Sequence, residues 1–252
     1  MNWKDYFFFV EKVGSHYFIL AAIAFVLFYV LLRRALSYKK IQPRFPRQKD
    51  YIRETGYSAC TIAIFGFVPL LLIKNPYVVP HTLYYKNIID YGWFYFFAAF
   101  PLMFFIHDTY FYWTHRLMHH KNLFRLFHLV HHHSTNPSPW AAYSFHPLEA
   151  IVEAGVFAVF LFTIPVHPLH FYIFFFFMIV YNVYGHLGYE LYPEGFSRHW
   201  LGKWINTSVS HNQHHQYFKG NYGLYFTFWD RMMGTMRSDY EQYFGEVKSK
   251  KK

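Results

Sequence analysis

The chain has one cysteine, Cys60, which excludes an internal disulfide framework, a thiolate iron–sulfur site and a cysteine-rich zinc module. It has no GxSxG nucleophile motif, no GxGxxG dinucleotide fingerprint and no haem motif. No linker or internal repeat divides it, and KSKKK at the end is the sole low-complexity stretch. Proline and glycine are missing from Leu102 to Leu129, so a helix is expected to leave the membrane there and carry His115 and His119 into the cytoplasm.

Apolar side chains, by contrast, are abundant. They make up 54% of the 252 residues, with 32 Phe and 24 Tyr, too many for an ordinary soluble domain. They gather in five runs, Tyr17–Leu32, Tyr57–Ile73, Tyr91–Ile106, Ile151–Val166 and Leu169–Tyr184. Each has 16 or 17 residues, at the short end of what a bilayer crossing needs. Interfacial aromatics such as Trp93 can extend them. Buried core helices would explain one such run, but five in so small a chain predict an all-α polytopic membrane protein with about four or five transmembrane helices. The stretch 151–184 is expected to cross twice or to form a shallow re-entrant hairpin. Arg33 and Arg34 follow the first run without a small-residue cleavage site, so that run is expected to remain as an anchor.

The net charge of +10 could point to nucleic acid, but its distribution points to membrane orientation, and no nucleic-acid partner is expected. Five crossings place 20 of the 24 Lys and Arg on one side, in 33–56, 107–150 and from 185 onward. By the positive-inside rule that side is cytoplasmic. Fourteen of the 18 histidines share it; His16, His81, His167 and His170 lie opposite. Residues 33–56 are expected to lie as a basic loop on anionic headgroups.

The cytoplasmic histidines fall in clusters: His115 and His119, then His128, His131 and His132, then His211, His214 and His215. Spacings of three and four residues put imidazoles on one helical face. Neutral imidazole is the commonest side-chain metal ligand, and a four-coordinate ion needs only four, so eight or nine predict a dinuclear site in a histidine-rich cap. His186 emerges after an apolar run on the same side and is a further candidate ligand. Glu190, four residues on, is a possible ligand or ligand partner, and His146 is a possible ligand. His120 and His133 point to other faces. Asp108 lies seven residues before His115, about 20° away on the helical wheel. It is expected to accept the second N–H of a ligand imidazole, or else to be a plain helix-surface charge. Imidazole suits zinc, copper and iron alike. A paired site at a lipid boundary suits oxygen activation against an unactivated C–H bond, which requires iron's redox cycling, although purified protein could carry zinc.

The segments HDTYFYWTHRLMHH, FHLVHHHSTNPSPWAAYSFHPLE, GHLGYE and SHNQHHQYFKGNYGLYFTFWDRMMGT resemble the fatty acid hydroxylase superfamily, and most closely its C-5 sterol desaturase branch. The likeness covers roughly residues 90–237. It would leave 1–89 as N-terminal transmembrane helices with a basic loop, and 238–252 as a basic tail. The resemblance implies a di-iron, O2-dependent lipid oxidoreductase with its ligands in the three clusters and His186, and no catalytic residue beyond the metal site. Where the ceramide-hydroxylating branch has a further histidine, this chain has Glu190, which disfavours a sphingolipid acyl chain. Without a cytochrome b5 domain in the chain, a separate electron donor of cytochrome b5, ferredoxin or reductase type is expected.

Other readings are a fatty acyl, alkyl-lipid or carotenoid monooxygenase of the same superfamily, or a non-catalytic zinc-binding membrane protein. A zinc carrier would hold its ligands near the bilayer midplane, and here they lie outside the apolar runs. Lysines at the third and fifth positions from the end match an endoplasmic-reticulum dilysine signal, and a polybasic tail on anionic lipid fits equally. The endoplasmic reticulum and a bacterial inner membrane both remain open, as does the oligomeric state.

Overall fold

The computed structural model describes residues 2–250, so the last two lysines of KSKKK lie outside the described residues. No strand is present among the described residues, only three isolated bridges. Helix α1 (Trp3–Phe25) is capped by the Asn2 side chain and continues into a π-helical turn, Val26–Leu31. Helices α2 (Gln48–Leu72) and α3 (Gly92–Met118) follow, then the single turns α4 (Phe124–Phe127) and α5 (Leu129–His132). Next come α6 (Pro147–Thr163), α7 (Pro168–Gly185), α8 (Ser208–Tyr217), α9 (Phe228–Met232) and α10 (Tyr240–Lys248).

Four stretches are long and apolar enough to cross a bilayer: Trp3–Leu31, α2, α3 and α7. Their outward faces carry exposed Ile19, Ile23, Leu71, Phe94, Phe105 and Phe177, as lipid contact requires. The remaining run, Ile151–Val166, forms α6, which at 17 residues falls just short of a full crossing. Its turn into α7 nevertheless reaches the level where α3 begins: the Tyr95 hydroxyl donates to Pro165 O and the Tyr85 N–H to Val166 O.

The helices pack because their contacts are small or aromatic. Gly66 of α2 lies so close to α1 that a Cβ would overlap Val10 Cγ2, at 2.4 Å. Tyr17 of α1 stacks on Tyr143 with centroids 4.6 Å apart. Its hydroxyl donates to Trp140 O at 2.7 Å, tying α1 to the segment before α6. Phe160, Phe174 and Met103 centre the largest buried cluster, between α3, α6 and α7.

Helix α3 carries His115 as expected and stops at Met118, with His119 as its C-cap residue. A straight helix would put His128 about 20 Å from His115, whereas the turn at 119–123 folds the second cluster back onto the first. Residues 33–56 are not one loop on headgroups. Asp50 accepts the Arg47 N–H and α2 starts at Gln48. The preceding residues strap across the cap instead. The Ile41 N–H donates to Gly188 O, and Ile41 is buried with Val209, Tyr240 and Phe244.

Candidate metal centre

All three clusters and His186 meet at one end of the bundle, the end that carries the 37–41 strap. The nine imidazoles divide into two groups that cut across the sequence clusters. His115, His119, His128, His132 and His214 form one; His131, His186, His211 and His215 form the other. Within each group every candidate ligand nitrogen lies within 4.8 Å of the others. Helix geometry explains the division. His211 and His215 are one turn apart on α8 and serve one group, whereas His214, about 100° round from His215, serves the other. His131 and His132 diverge in the same way on α5.

Hydrogen bonds fix which ring nitrogen faces inward. His115 Nδ1 meets Tyr222 O at 2.8 Å, and His214 Nδ1 meets Gly220 O at 2.8 Å. His186 Nδ1 meets Asn182 O at 2.8 Å, and His131 Nδ1 meets Ser144 O at 3.3 Å. A carbonyl oxygen only accepts, so these Nδ1 atoms carry the protons and the Nε2 atoms present lone pairs. Yet the His131 and His186 Nε2 atoms face each other at 3.3 Å. Two lone pairs at that distance repel unless a cation lies between them. Burial, reinforced by neighbouring imidazoles, pushes the basicity of His131, His132, His211, His214 and His215 well below the ordinary histidine range. Neutral imidazoles with inward lone pairs are the form that metals bind, so the residues fit a pair of ions.

His128 is held differently, with its Nδ1 2.5 Å from the Glu149 carboxylate on the first turn of α6. That role had been expected of Asp108. Asp108 hydrogen-bonds to no imidazole among the described residues; its Oδ1 accepts the Tyr225 N–H at 2.8 Å and the Phe226 N–H at 3.1 Å. It acts at one remove by pinning the segment whose Tyr222 carbonyl orients His115. The same segment is gripped by Asp230, which accepts the Tyr222 and Gly223 N–H groups. Glu190 lies outside both groups and accepts from Tyr184 Oη, the Tyr192 N–H and the Val209 N–H, anchoring the start of α8. His146 is also outside them and caps α6 by accepting the Leu148 N–H. His120 and His133 are exposed. At the opposite end, His167 caps α7 and contacts Lys86 O, and His170 contacts Phe96 O.

An apolar cavity of about 380 Å³ runs between α1, α2, α3, α6 and α7. Phe8, Lys12 and Pro168 line one end, and Phe111, Phe145 and Asn182 the other. Phe111 packs on His115 with ring centroids 4.9 Å apart, and Phe145 on His131 at 5.1 Å. A single phenylalanine ring therefore separates the cavity from each histidine group.

The profile of a family described as fatty acid hydroxylase matches residues 100–235, more than half of the chain. A Delta(7)-sterol 5(6)-desaturase of Gibberella zeae is 33% identical over 227 residues, 88% of this chain and 65% of its own. A Delta(7)-sterol 5(6)-desaturase of Aspergillus fumigatus is 29% identical over 232 residues, 84% and 69% of the two chains. Lathosterol oxidase of Mus musculus is 30% identical over 155 residues, 61% and 50%. The chain thus spans between half and about two thirds of the length of these relatives. No solved structure matches it.

Proposed function

The chain belongs to the fatty acid hydroxylase family, and from that premise we propose that it is an integral-membrane, non-haem di-iron oxidoreductase that desaturates or hydroxylates a sterol-like lipid with dioxygen. The observation that carries the reading is the pairing of nine inward-facing imidazoles, in groups of five and four, with an apolar cavity one phenylalanine ring away from each group. The named activity of the relatives, two Delta(7)-sterol 5(6)-desaturases and a lathosterol oxidase, supports a sterol-like substrate.

Two iron ions held by these groups would supply the redox chemistry that attacks an unactivated C–H bond, which zinc cannot. The chain's own residues do the rest. Main-chain carbonyls of Tyr222, Ser144, Asn182 and Gly220 and the Glu149 carboxylate orient the imidazoles. The phenylalanine-lined cavity takes the apolar body of the lipid and excludes water from the reacting carbons. Removing two hydrogens from adjacent carbons while dioxygen becomes two waters consumes two further electrons and two protons. Those electrons come from a separate donor of cytochrome b5, ferredoxin or reductase type.

Incubating the iron-loaded protein in lipid nanodiscs with a Δ7-sterol, a reductase and oxygen tests the reading. A product lacking two hydrogens indicates desaturation, and one gaining an oxygen indicates hydroxylation. No turnover of the sterol, with turnover of an acyl lipid, would overturn the substrate assignment. Elemental analysis of the detergent-purified protein should find close to two metal ions per chain; fewer than one, with activity retained, would rule out the paired site.

The histidine end is placed in the cytoplasm, because 20 of the 24 basic residues lie in segments on that side. A reporter fused to the C-terminus should be active only in the cytoplasm, and an externally accessible tail would reverse the orientation.

A further inference from the structure

The cavity is apolar along almost its whole length, yet it contains a carboxylic acid. Glu153 of α6 lines it together with Val156 and Phe157. An acid bordering an apolar cavity costs free energy unless a polar group partners it. No hydrogen bond or ion pair engages the Glu153 carboxyl group among the described residues. The hydroxyls that could have served it are committed elsewhere. Tyr110 Oη donates to Val152 O at 2.6 Å, and Tyr225 Oη is paired with His107 Nδ1 at 3.0 Å. Glu153 is also close to the chemistry. It lies one helical turn, about 6 Å along the axis, from Glu149, which holds His128.

We propose that Glu153 is a specificity-determining residue that hydrogen-bonds an alcohol hydroxyl of the substrate, which lies near the carbons that react. The inference rests on the sterol-like reading of the same site and narrows it to lipids whose hydroxyl is close to the oxidised bond. A straight acyl chain entering methyl end first would bring nothing polar to this depth and would leave the acid unpaired. A free fatty acid would bring a second carboxyl group against the first. A fused-ring alcohol carries one hydroxyl a few bonds from the ring carbons presented to the histidines. The carboxyl group can accept from that hydroxyl or, when protonated, donate to it.

The test uses the full chain, metal-loaded, in nanodiscs, and reads binding rather than turnover. The probes are a Δ7-sterol, the same sterol with its hydroxyl methylated, a long-chain alcohol and its methyl ether. The native protein should bind the free sterol about tenfold more tightly than the ether. Glu153→Leu should bring the two within about twofold while metal content stays unchanged, and Glu153→Gln, whose amide still hydrogen-bonds, should restore much of the preference. A merely structural role for Glu153 would weaken both ligands alike. Retention of the full preference in Glu153→Leu, or a native protein that prefers neither alcohol to its ether, would overturn the anchor. If the native protein turns over the sterol without preferring it to the ether, the anchor falls and the sterol reading stands. If the native protein ignores the sterol, but prefers the long-chain alcohol in a way Glu153→Leu abolishes, the sterol reading falls and the anchor stands.

Discussion

Replacing His131 with alanine should lower turnover at least about 100-fold, the upper end of what losing a mere partner of a ligand costs. His131 supplies one of four nitrogens in the second group, leaving His186, His211 and His215 to hold an ion without it. Metal content should fall from near two toward one per chain, because the first group keeps all five imidazoles. Insertion should be unaffected, since the apolar helices and not the ions drive it. His167→Ala is the control. That residue caps α7 at the opposite end, so its loss should cost about 1 kcal/mol of stability and leave turnover per folded molecule unchanged. Full turnover in His131→Ala, or equal damage from His167→Ala, would show the site to be misplaced.

Glu149→Gln should have the next largest effect, a loss of about 10–100-fold in activity or metal affinity. The amide oxygen can still accept from His128 Nδ1, so the imidazole keeps its orientation, but the negative charge that raises its basicity is gone. Asp108→Asn offers the informative comparison. Its oxygen can still accept the Tyr225 and Phe226 N–H groups, and no imidazole loses a partner, so it should be milder than Glu149→Gln. If Asp108→Asn proved the more damaging, control of the site would run through the 222–226 segment rather than through α6.

Much of this was readable from local pattern. Imidazoles at spacings of three and four lie on a common face wherever a helix forms, and all nine expected ligands meet at one end of the bundle. Long apolar runs bounded by basic segments define membrane helices without reference to any distant residue, and four of the five runs form helices long enough to cross. The family likeness read from the motif words matches the family profile.

Contacts between distant segments were not readable in that way. Asp108 and Glu149 are both acids beside apolar runs, and helical periodicity favoured Asp108 because it shares a face with His115. What orients an imidazole is whichever group packs against its outer nitrogen, and that group came from α6, 21 residues beyond His128. The one cue in the sequence was Glu149 itself, an acid in the first turn of an apolar helix that starts on the histidine side. Main-chain carbonyls such as Tyr222 O leave no cue, because every residue has one. Glu190 and His146 looked like ligands from their neighbours, yet their polar atoms satisfy backbone N–H groups at the starts of α8 and α6.

Which side chains could hold a metal, and that they share one side of the apolar runs, follows from local pattern, because periodicity and charge segregation act over a few residues. How the clusters divide into groups of five and four, which acid supports them, and where the cavity lies were set by helix packing. Each of those depends on side chains that are far apart along the chain and meet only once the helices have packed.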